Sequence, residues 1–167
     1  NSLIEEYLRY LKLSTLEKCY EDICQKAAQG NLSYQDFFLR LLTEEVMAKK
    51  QRAIQKRIHL ARFPTVKTID SYDFQWPKSI NKKLLLDLLE LKFIEKKSNL
   101  IILGPPGLGK WHLALSIGFR ACQEGIKTLF TTAMNLINHL QASFSDNSFL
   151  RAMKRYTTPP LLIIDEL

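Results

Sequence analysis

Apolar residues recur at helical spacing from the start of the chain: Leu3, Tyr7, Leu8 and Leu11, then Leu16, Cys19, Tyr20, Ile23 and Ala27. Side chains three and four apart share one helix face, so this pattern predicts amphipathic helices rather than strands. Thr15 is placed to cap the second helix, and Gly30-Asn31 to stop it. Ser33, with Asp36 three positions on, opens a third, long helix. Its apolar face runs through Phe37, Phe38, Leu41, Leu42, Val46 and Met47, and Pro64 ends it. Residues 64–79 hold Pro64, Pro77 and the aromatic string Tyr72, Phe74 and Trp76 with little periodicity, and read as a linker whose aromatics are pinned to a core.

The leucine-rich stretch from Ile80 to about Lys97 predicts one or two further helices, after which the period changes. Leu100-Ile101-Ile102-Leu103 is a short unbroken apolar run bounded by a glycine turn, the pattern of a strand buried on both faces of a parallel sheet. Helices are expected at 110–123 and Met134–Phe144, and strands at Lys127–Thr131 and Leu161–Ile164. Alternation of strands with helices implies β-α-β connections, with chemistry at the carboxyl ends of the strands.

Composition narrows the class. The 167 residues are 46% hydrophobic and 25% charged, with six Gly and six Pro, which excludes disordered and collagenous chains. Lys and Arg total 24 against 17 Asp and Glu, a formal +7 that suits a polyanionic partner without demanding one. Cys19, Cys24 and Cys122 lack metal-ligand spacing and read as reduced structural thiols. No apolar run reaches the ~20 residues of a membrane span and no signal peptide is evident, so the expected location is cytoplasmic, with no membrane partner. A chain that opens on Asn1 rather than Met and stops at Leu167 just after an apolar run is expected to be a fragment of a longer protein.

Candidate chemistry begins at Gly104-Pro105-Pro106-Gly107-Leu108-Gly109-Lys110, between an apolar run and a predicted helix. The glycines let backbone amides converge on an anion, the helix amino terminus adds partial positive charge, and Lys110 supplies a full charge to the β- and γ-phosphates. The pattern departs from a phosphate loop at its last letter. Trp111 stands where a hydroxyl would bind Mg²⁺, and an indole offers a hard cation no lone pair. His112 cannot substitute, since the next helical residue points about 100° away. Asp165, at the tip of the last apolar run, is placed to hold Mg²⁺ through water, and Glu166 to orient and deprotonate the attacking water.

Lys49, Lys50, Arg52, Lys56, Arg57 and Arg62 lie on the second half of the long helix with no acid between them. Such a stretch can neutralise phosphates without reading base sequence, so Lys49, Lys50, Arg52, Lys56 and Arg57 are the candidate DNA contacts. His59, in the same stretch, reads as packing or solvent-facing rather than metal-binding.

GPPGLGK followed by WHLA, then FTTAMNLI and LLIIDEL, resemble the IstB-like ATPases, AAA+ helper proteins of insertion-sequence transposases that are similar to DnaC-type helicase loaders. NLSYQDFFLRLLTEEV, the basic stretch to HLARFP, and YDFQW extend the resemblance over essentially the whole chain. The fold class is therefore α/β: a helical module for DNA or partners at 1–63, a linker at 64–79, and the first part of an AAA+ P-loop domain at 80–167. The resemblance implies ATP and Mg²⁺ as cofactors, with the Mg²⁺ role carried by Asp165 and not by position 111. It also implies DNA and a transposase as partners, and an ATP-controlled oligomer. In that architecture a fourth strand separates the strand before the loop from the acid-bearing strand. Here the two are expected to be unpaired, and the fourth-strand sensor, arginine finger and helical lid do not occur before Leu167. Hydrolysis is accordingly expected to be negligible. The alternatives are a nucleotide-insensitive DNA-binding or partner-docking remnant, and a replication protein of the helicase-loader kind.

Overall fold

The computed structural model describes residues 2–73, 81–145 and 147–166, so Phe74, Trp76 and Pro77 of the expected linker lie outside the described residues. The chain is of the α/β class, mostly helical and, among the described residues, with a short parallel sheet of two strands. It divides into two compact units, Asn1–Ala53 and Ile54–Leu167.

The first unit comprises α1 (Ser2–Tyr10), α2 (Leu16–Gln29) and the larger part of α3 (Tyr34–Ala61), whose last residues belong to the second unit. Ser33 caps α3 as its spacing predicts: its Oγ accepts from the Asp36 amide at 3.1 Å and donates to the Asp36 carboxylate at 2.6 Å. Thr15 does not cap α2. Its backbone is already helical and its side chain makes no cap bond. The orphan amides of Thr15 and Leu16 instead donate to Oε2 of Glu45, reaching over from α3, at 2.9 and 3.0 Å. The other carboxylate oxygen lies 3.1 Å from Arg52 and 3.8 Å from Lys49. Burial pushes the Glu45 carboxyl up, but the Leu16 and Thr15 amides and the Lys49 and Arg52 charges outweigh it and hold it below the usual carboxylate range. The buried apolar side chains of this unit are Leu16 and Ile23.

The second unit contains α4 (Lys82–Leu89), α5 (Lys92–Glu95), α6 (Lys110–Gln123), β1 (Thr128–Thr132), α7 (Ala133–Ser145), α8 (Phe149–Thr157) and β2 (Leu161–Asp165). Asn81 caps α4 by accepting from the Leu84 amide at 3.1 Å. β1 and β2 pair in parallel, from Thr128 opposite Leu161 to Thr132 opposite Asp165, joined by α7 and α8. α6 approaches β2 closely because residue 118 is glycine, where a Cβ would fall 2.6 Å from Ile163 and 2.9 Å from Phe63. One core cluster joins Leu91, Ile117 and Ala121 to Leu161; the other joins Tyr72, Leu85 and Leu113 to Ile69 and Ile102. The carboxyl end of α6 is held by Arg57, whose Nε donates to the Cys122 carbonyl at 2.7 Å.

Two further readings from the sequence change. Leu100–Leu103 forms no strand: Ile102 packs into a core cluster, but Ile101 and Leu103 are 73% and 86% exposed. A strand exists only through hydrogen bonds to a neighbour, and among the described residues β1 and β2 pair only with each other. α8 was not expected, although Ala152 and Tyr156 repeat at helical spacing and both are buried. Among the described residues no helix is long and apolar enough to cross a membrane.

Candidate functional site

The loop from Gly104 to Gly109 leads directly into α6, which begins at Lys110. Gly107 and Gly109 adopt left-handed conformations, with φ of +83° and +73°. Glycine pays no steric cost there, and successive turns of this kind bring backbone amides toward one concave point. The Lys110 ammonium donates to the Pro105 carbonyl at 2.8 Å, folding the side chain back over the loop. An anion seated there would replace a neutral acceptor with a charged one, a stronger partner for the same donor.

The first turn of α6 and the end of the loop are tied to the segment Thr68–Tyr72. Tyr72 is buried, and its hydroxyl donates to the Leu108 carbonyl at 3.0 Å. A Cβ at residue 109 would lie 2.8 Å from Cε2 of that ring, so Gly109 is required by contact as well as by backbone angle. Burial, and after it the charge of Asp73, push the Tyr72 phenol up, keeping it a hydrogen-bond donor. The His112 ring meets Tyr72 edge to face at a centroid distance of 5.3 Å. His112 Nε2 lies 2.9 Å from the Thr68 carbonyl, which can only accept, so that nitrogen carries the proton. His112 thus faces the segment Thr68–Tyr72.

Trp111 and Asp165 meet across a cleft of about 630 Å³ at the carboxyl ends of β1 and β2, where Thr132 ends one strand and Asp165 the other. Arg62, Arg155 and Tyr156 also line it, whereas none of Gly104, Pro105, Pro106, Gly107, Leu108, Gly109 or Lys110 does. Glu166 follows β2 in a left-handed conformation, φ +57°, with its side chain exposed. The structure therefore places Trp111, 37% exposed, and the expected metal carboxylate on the lining of one cleft.

The basic residues of α3 divide by role. Arg52 bonds Glu45, Ser14 and Thr15, Lys49 faces Glu45, and Arg57 closes α6. Lys50 and Lys56 are exposed and make no ion pair among the described residues. Sequence reasoning assigned Tyr72 to a core-pinned linker, and its burial agrees; its bond to the loop carbonyl had no signal in the spacing.

A family profile described as IstB-like ATP binding protein matches residues 6–167. A protein of Geobacillus stearothermophilus, named for ATP binding in insertion sequence IS5376, is 39% identical over 164 residues, which covers 98% of this chain and 65% of that protein. A Bacillus thuringiensis subsp. berliner protein, named likewise for IS232, is 34% identical over 96% of this chain and 64% of its own length. Its Pseudomonas aeruginosa counterpart, named for IS21, is 34% identical over 98% and 62% respectively. The chain thus spans 62–65% of the length of these relatives.

Proposed function

The chain belongs to the IstB-like ATP-binding proteins, and from that premise we propose that it binds ATP through Gly104–Lys110 and works as the ATP-binding helper of a transposase on DNA. The observation that carries this reading is the loop itself: Gly107 and Gly109 in left-handed turns, immediately followed by a helix whose first residue is a lysine folded over the loop. Amides and helix dipole hold the phosphates, and Lys110 leaves the Pro105 carbonyl to pair with them.

Position 111 offers the Mg²⁺ that the family implies no ligand in the cleft that Asp165 lines. Trp111 lines the same cleft and its indole N–H can only donate. Nucleotide binding is therefore read as a matter of the chain's own amides and lysine, without a metal-dependent step. The roles of Asp165 as metal ligand and Glu166 as general base are proposed from their place at the end of β2, with the resemblance in support.

DNA contact is proposed for the basic residues of α3, with Lys50 and Lys56 the side chains best disposed for it and Lys49, Arg52 and Arg57 also engaged within the protein. The relatives' names place them in insertion sequences, which supports transposition over replication as the setting. The test is titration of ATP in EDTA with the chain and with Lys110→Ala. Loss of binding in the variant is expected, and equal binding by both overturns the assignment of the loop.

A further inference from the structure

The peptide joining Leu108 to Gly109 lies at the heart of the loop, and its orientation is set from outside the loop. A trans peptide is planar, so its carbonyl and its N–H point in opposite directions. The Leu108 carbonyl is turned onto the Tyr72 hydroxyl at 3.0 Å, and Tyr72 is buried with Leu85 and Leu113. The Gly109 N–H must therefore point away from that core, toward the open side of the loop. The arrangement is fixed from two more directions. Tyr72 leaves no room for a Cβ at residue 109, and His112, one turn into α6, packs on the Tyr72 ring while its Nε2–H holds the Thr68 carbonyl at 2.9 Å.

Resting on the reading of Gly104–Lys110 as a phosphate site, we infer that Tyr72 is a positioning residue for nucleotide binding, its hydroxyl holding the Leu108 carbonyl inward so that the Gly109 amide is presented to the phosphates. The effect acts on the phosphate chain and not on base or ribose. Tyr72→Phe keeps the ring in the core and removes only the donor that holds the Leu108 carbonyl inward.

The experiment is calorimetric titration of the full chain, of Tyr72→Phe and of Lys110→Ala with ATP and separately with inorganic tripolyphosphate, all in EDTA. Tyr72→Phe is expected to weaken both ligands by the same factor, about 3- to 10-fold, the worth of one hydrogen bond of ordinary strength. Unchanged affinity for both ligands overturns the inference, as does a loss confined to ATP, which would put Tyr72 on the base or ribose. Should Tyr72→Phe melt below the assay temperature, 4-aminophenylalanine at position 72 restores a donor on the same ring. Affinity that this residue fails to bring within about twofold of the natural chain overturns the inference as well. Full binding by Lys110→Ala, or none by the unaltered chain, instead brings down the phosphate-site reading on which the inference rests.

Discussion

Removing Glu45 is expected to unravel the helical unit from its middle. The carboxylate is 3% exposed, accepts the two amides that open α2 and faces Arg52 and Lys49. Hydrogen bonds to a charged group are each worth about 1.5–3 kcal/mol, and breaking a buried ion pair by deleting one partner costs about 3–5 kcal/mol, with overlap between the two. Arg52 remains half exposed and recovers solvation, which brings the expected loss for Glu45→Ala to about 2–4 kcal/mol. Small domains hold about 5–15 kcal/mol in total, and this unit buries Leu16 and Ile23 as its apolar anchors, so the loss is a large share. Glu45→Gln keeps an acceptor but not the charge and is expected to fall between the two.

Acid should produce the same loss in the unaltered chain. The folded carboxyl lies below its unfolded value of about 4.3, so its contribution is complete above that pH and disappears as pH falls through the folded value. The assay is urea unfolding followed by helical circular dichroism, with hydrogen exchange along α2, from pH 7 down to pH 3. An α2 equally protected in Glu45→Ala, or an identical loss of stability between pH 5 and pH 3 with and without the carboxylate, would refute the reasoning.

Trp111→Thr is expected to make ATP binding Mg²⁺-dependent, since it restores a hydroxyl on the cleft that Asp165 lines; equal affinity with Mg²⁺ and with EDTA would speak against the cleft as the metal's place. Neutralising Lys50 and Lys56 together should flatten the plot of log K against log salt for double-stranded DNA by about 1.8, whereas Arg57→Ala should also lower stability, since it removes the bond to the Cys122 carbonyl. An unaltered slope in the double variant places the phosphate contacts elsewhere. Gly118→Ala should cost about 1–3 kcal/mol in thermal unfolding, because its methyl would collide with Ile163 and Phe63; a neutral effect would mean that α6 can lift from β2 at little cost.

What could be read from the sequence is what neighbours along the chain decide. Helices α1 to α3, α6 and α7 follow from apolar spacing and from stops such as Gly30 and Pro64, because their hydrogen bonds close within a few residues. The glycine turns and the helix that opens at Lys110 were legible for the same reason: the glycines, the lysine and the helix that follows are contiguous. Tertiary structure decided what depends on groups far apart in sequence. Leu100–Leu103 has the composition of a strand but not the paired neighbour that makes one. Thr15 looked like a cap, and a carboxylate from α3 took the role because it brings a full charge to two orphan amides at once. Arg52 and Arg57 looked like free charge and are bound to Glu45 and to the Cys122 carbonyl. The bond from Tyr72 to the loop belongs to the same class, since it joins residues 36 positions apart and no periodicity along the chain records a contact made through the fold.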